Sequence, residues 1–176
     1  MNILQEKPET LSSRGELAEG PNKAGFFALS ALLLLTLIAL ILAGPSGNFP
    51  VNDDHLYAYA ARSLSKLMFA GGDFEIAGSN AFDFIPLVTG AVVCKLAGFS
   101  FVTLRWVTIG FHLFGITGLY LALRQMKLKP VDSALLSAVY ALNPFMINLS
   151  LSFMTDVPAV ALTNWALFAS IVALKK

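Results

Sequence analysis

The chain has 176 residues, of which 56% are hydrophobic and only 13% charged, with a formal net charge of +1. Soluble domains carry about 25% charged residues, and here the deficit falls in a few long blocks, the signature of a membrane protein. The near-neutral balance, with no basic stripe, excludes a nucleic-acid partner, and a single cysteine, Cys94, excludes an internal disulfide and reads as a small buried apolar residue.

Residues 1–23 are polar, mixed in charge and contain Pro8 and Pro21, so they read as a flexible cytoplasmic tail. Ala24–Ala43 is an uncharged, leucine-rich run of 20 residues, long enough for a ~30 Å hydrocarbon core. The polar tail before it and the weak cleavage pattern at Leu42-Ala43-Gly44 favour a retained anchor over a signal peptide. Gly44-Pro45-Ser46-Gly47-Asn48 breaks this helix.

Residues 53–69 then predict an amphipathic helix at the membrane surface, capped by Asn52 or Asp53 and ended by Gly71-Gly72. Its apolar positions Tyr57, Ala60, Leu64, Leu67 and Met68 recur at helical spacing. Phe84–Cys94 has only 11 uncharged residues and contains Pro86 and Gly90, so an interfacial helix over 84–96 is expected rather than a span. Further spans are predicted at 101–123, 133–153 and 157–174.

Charge orients this arrangement. With four spans and the N-terminus inside, Lys7, Arg14, Lys23, Arg124, Lys127, Lys129, Lys175 and Lys176 lie inside, eight Lys/Arg against four outside. Counting Phe84–Cys94 as a fifth span gives five inside and seven outside, so the positive-inside rule prefers four. The four-span topology puts Asp53, Asp54, Asp73, Glu75, Asp83 and Asp156 on the outer face, so the first loop and the Met154-Thr155-Asp156 turn open on the same side.

Two chemistries compete at these acids. Asp53, Asp54 and Asp156 stand at predicted helix starts, where carboxylates cap and complement the helix dipole. A carboxylate cluster at a membrane surface also serves as a general base or holds a divalent cation against a phosphate. Arg105 has a similar pair of readings: a snorkelling arginine, or a bidentate ligand for a lipid phosphate. Arg62 and Lys66 divide the same way, with the solvated face favoured. His55 and His112 lack metal-ligand spacing, and His112 reads as a helix-packing or polar-contact residue.

The stretch Asn52-Asp53-Asp54-His55-Leu56-Tyr57-Ala58-Tyr59-Ala60 resembles glycosyltransferase family 39, which includes bacterial relatives of protein mannosyltransferases and aminoarabinose transferases. Asp53, Asp54 and Tyr57 match that family's acidic pair and following tyrosine. Leu96 to Arg105 resembles its glycine-aromatic step into an arginine that opens the second span. Leu142-Asn143-Pro144 and Ser152-Phe153-Met154-Thr155-Asp156-Val157-Pro158 resemble the end of its third helix and its second acidic loop. The likeness covers about 26–176.

The resemblance implies an all-α membrane protein, the N-terminal module of a C-type glycosyltransferase fold, with juxtamembrane helices outside the membrane. It implies a polyprenyl-phosphate sugar as donor and an extracytoplasmic acceptor. Asp53 would be the general base, Asp156 would bind or orient a substrate, Asp54 and Tyr57 would contact substrate, and Arg105 would steady the phosphate. Two departures stand out: Phe82 to Leu87 has one proline and no base, and family members continue with many more helices. A truncated or partial transferase, completed by a C-terminal part or another membrane subunit, is therefore expected. The alternative is a non-catalytic membrane protein that binds a lipid-linked sugar or supports a partner.

Overall fold

The computed structural model describes residues 23–51, 53–71 and 84–175. The predicted tail, Asn52 as a cap, Gly72, Asp73, Glu75 and Asp83 lie outside the described residues. Those described form helices α1 (Lys23–Ala43), α2 (Asp54–Ala70), α3 (Phe84–Ala97), α4 (Phe101–Gln125), α5 (Pro130–Ala141), α6 (Pro144–Ser150) and α7 (Asp156–Ala173), with no strand among them.

Three helices, α1, α4 and α7, are long and apolar enough to cross a membrane. α3 is apolar but only 14 residues long, roughly 21 Å at 1.5 Å per residue, which is short of a bilayer core. A short helix was expected over nearly the same residues, 84–96.

The span expected over 133–153 is not one helix. It is a pair, α5 and α6, bent by 64°. Pro144 has no N–H to offer the preceding turn, and its ring opposes the carbonyl four residues back. Asn143 completes the break by accepting the Phe145 N–H at 2.9 Å, which caps α6. Hydropathy is blind to this bend, because both halves are apolar.

α4 is the central element. α7 packs along it through small residues: a methyl on Gly115 would sit 2.9 Å from the Ala161 backbone, and one on Gly118 would sit 2.8 Å from the Trp165 ring. Close approach brings polar side chains of α7 to α4 carbonyls, Asn164 to Gly115 at 3.1 Å and Trp165 Nε1 to Phe114 at 2.9 Å. Small interfacial residues with inter-helix hydrogen bonds are how helices associate where lipid removes the hydrophobic drive. At the other end of α4, Tyr120 donates to the Gly25 carbonyl at the start of α1.

α2 buries part of the face its periodicity suggested, with Ala60 in the core and Tyr57 and Leu64 packed against it, and adds a small-residue side. Asp54, Ala58, Ala60, Ala61 and Ser65 are buried, whereas Leu67, Met68 and Phe69 are each more than 40% exposed. The packed side is the small-residue side because α3 approaches closely: a methyl on Gly90 of α3 would lie 3.2 Å from Ala61 Cβ and 2.6 Å from Phe153 Cζ. Ala58, Ala61, Leu87, Cys94, Leu104 and Phe153 form the core there. Cys94 is a buried free thiol, as expected.

Candidate functional site

The loop 44–51, ahead of the acidic pair, is shaped by contacts with α4. Gly47 has φ +114°, and a side chain there would also strike the Phe49 ring, so only glycine suits this turn. Arg105, 2% exposed, turns its guanidinium into the loop. Its Nη1 donates to the carbonyls of Gly47 at 2.7 Å and Pro45 at 3.2 Å, and its Nη2 donates to Phe49 at 2.6 Å. The Phe49 ring lies 5.6 Å from the guanidinium carbon. A second tie comes from Asn48, whose Oδ1 accepts the Phe101 N–H at 2.9 Å at the start of α4. The guanidinium expected to steady a phosphate is engaged here by loop carbonyls: a planar five-donor fork is matched to three acceptors of the backbone.

The acidic pair divides. Asp54, the first residue of α2, is fully buried and accepts the Val51 N–H on Oδ1 at 2.8 Å. Burial raises its pKa above the ordinary aspartate value, against the opposing pull of the Val51 and Phe153 N–H groups and of the charges on Arg105 and His55. Asp53 is exposed and occupies the N-cap position, yet its side chain makes no capping bond. Asp156 is exposed as well, one residue inside α7, where Thr155 holds the N-cap position and makes no side-chain capping bond either. The helix-capping role considered for Asp53 and Asp156 is thus not realised by either residue.

These acidic elements meet at one end of the molecule. Tyr57, half-buried one turn into α2, shares a small cleft with Pro86 and Leu87 of α3 and with Phe153, Met154 and Thr155 of the turn before Asp156. The influence of the Phe153 N–H on Asp54 marks the same approach. The first turn of α2 and a turn about 100 residues away in sequence thus line one cleft.

The remaining charged candidates have structural neighbours. Arg62 lies over the Phe99 ring at 4.8 Å, within a cluster of Tyr59, Phe99 and Phe101. His112 is fully buried, with Nε2 3.1 Å from the Ala141 carbonyl, in keeping with its expected packing role. Among the described residues no group of three or more His, Cys, Asp or Glu could hold a metal ion. Asn48 was not foreseen, and its only sequence signal was its place in a Gly-Pro-rich loop. No protein-family model, curated protein or solved structure matches this chain.

Proposed function

We propose that the chain forms part of a membrane glycosyltransferase that moves a sugar from a polyprenyl-phosphate donor to an extracytoplasmic acceptor. Asp53 takes the proton of the acceptor hydroxyl as its oxygen attacks the anomeric carbon. The bond from that carbon to the phosphate oxygen breaks, the lipid phosphate leaves, and configuration inverts in one displacement. Asp156 orients a substrate, and Tyr57 lines the approach. Arg105 acts at one remove in this scheme, by holding the loop that leads into Asp53.

One observation carries the reading: the turn leading into Asp156 and the start of α2 flank the same cleft, with Asp53 and Asp156 both exposed and neither used as a cap. Four crossings, counting the bent α5–α6 pair as one, with the basic α4–α5 connection inside, support an extracytoplasmic position for that cleft.

The test is transfer of labelled sugar from its polyprenyl phosphate in membranes carrying Asp53→Ala. Loss of a general base should lower the rate by about 10²- to 10⁴-fold. An unchanged rate overturns the assignment of Asp53. Binding of the lipid-linked sugar with no transfer by the unaltered chain would favour the non-catalytic role.

A further inference from the structure

Polar atoms inside a membrane protein must be satisfied from within, because the surrounding hydrocarbon offers no partner. Among the described residues, six buried polar atoms without a hydrogen-bond partner in the protein fall on α4 and α5: Arg105 Nε at the loop, and five deeper along the pair, Thr108 Oγ1, His112 Nδ1, Ser133 Oγ, Ser137 Oγ and Tyr140 Oη. Thr108, His112, Ser133 and Ser137 are each at most 1% exposed. At helical spacing, 108 and 112 share one face of α4, and 133, 137 and 140 share one face of α5.

The hydrogen bond from His112 to Ala141 sets the two faces against each other. It also fixes the chemistry of the ring. A carbonyl only accepts, so Nε2 carries the hydrogen and the neutral imidazole presents a bare lone pair at Nδ1. The Tyr140 ring centroid is 5.4 Å from that of His112, and the tyrosine hydroxyl passes close to Gly115, 3.3 Å from where a side chain would begin. An acceptor and several hydroxyl donors thus line one seam without reaching one another. The lipid-facing side of α5 is apolar by contrast, with Val139 72% and Leu135 62% exposed.

We propose that the α4–α5 seam binds a file of buried water molecules that bridges these five groups. The path extends from Ser133 to Thr108, roughly 20 Å along the helices at 1.5 Å per residue. His112 sits near its middle, with Nδ1 as the acceptor that such a water would satisfy. Beyond Thr108, the same face of α4 continues to Arg105, whose charge acts on the buried Asp54 of α2. The proposal is independent of the transferase reading.

The test is accessibility to a charged, water-borne thiol reagent in the membrane-embedded full chain, with Cys94→Ala as background. The reagent, methanethiosulfonate ethylammonium, reacts with ionised thiols, which form in water and not in hydrocarbon. Ser137→Cys should therefore label about tenfold faster than Val139→Cys. A rate no faster than that of Val139→Cys overturns the proposal. If Ser137→Cys yields no folded protein, Tyr140→Phe decides by thermal unfolding in detergent. A hydroxyl bridged by water is missed when removed, so a lower Tm supports the hydrated seam. A hydroxyl left dry is better removed, so an unchanged or higher Tm overturns it.

Discussion

Arg105 and Gly47, 58 positions apart, are joined by a 2.7 Å hydrogen bond from guanidinium to carbonyl, the central one of three that this side chain makes to the first loop. Arg105→Ala leaves those carbonyls without their charged donor and should destabilise the protein by about 3 kcal/mol. Arg105→Lys should recover only part of this, since one ammonium cannot replace the fork. Unfolding of both variants in detergent checks the ranking. An arginine reserved for a phosphate would leave stability unchanged.

Gly90 is where α2, α3 and the acidic turn converge. Gly90→Ala brings a methyl against the tip of Phe153 and should cost about 1–3 kcal/mol by overpacking. Phe153→Leu should relieve part of that cost in the double variant. Additive losses in a double-mutant cycle would show that the two positions do not meet.

Gly115 and Gly110 make a matched pair on α4. A methyl at Gly115 meets the Ala161 backbone, whereas Gly110 has open space around it. Gly115→Ala should lose about 1–3 kcal/mol as α7 is pushed outward, whereas Gly110→Ala should be at least as stable as the parent and gain up to about 1 kcal/mol, since alanine costs less than glycine in a helix interior. Equal Tm values for the two variants would contradict the close α4–α7 approach.

Asp54 opens α2, outside the spanning helices, and burial raises its pKa in the folded state above the ordinary 3.8. The folded protein therefore holds this proton more tightly than the unfolded chain. The contribution to stability is fully present below the unfolded pKa and is lost as pH rises through the higher folded pKa. Asp54→Asn should flatten that part of the stability profile, and at neutral pH it should be at least as stable as the parent. Thermal unfolding across mildly acid to neutral pH measures it; a variant with an unaltered profile would remove Asp54 as the source.

Asp53 makes no capping bond, so Asp53→Ala should unfold within about 0.5 kcal/mol of the parent. That near-neutrality separates a loss of sugar transfer from a loss of fold. A large drop in Tm would return Asp53 to a structural role.

The spans at α1, α4 and α7 were legible because twenty or so apolar residues in a row have few other uses. The shortness of α3 was legible for the same reason. The bend at Asn143-Pro144 was not, since a hydropathy average does not see a missing N–H. Nor was the whole packed face of α2: Ala60, Tyr57 and Leu64 do meet the core, but Ala58 and Ala61 join them because Gly90 lets α3 come close, and Leu67 and Met68 stay exposed. Among the site residues, the sequence marked Asp53, Asp54 and Asp156 as acids at helix starts and could not divide them. Asp54 is set apart by Arg105 and Phe153, neighbours that only the folded chain brings near.

The clasp on the first loop also orders events during synthesis. Pro45, Gly47 and Phe49 leave the ribosome long before the arginine that organises them, and the Phe153 turn follows later still. The loop can therefore take its final shape only after α4 has entered the bilayer, which makes its closure a late step of assembly and Arg105 the residue that times it.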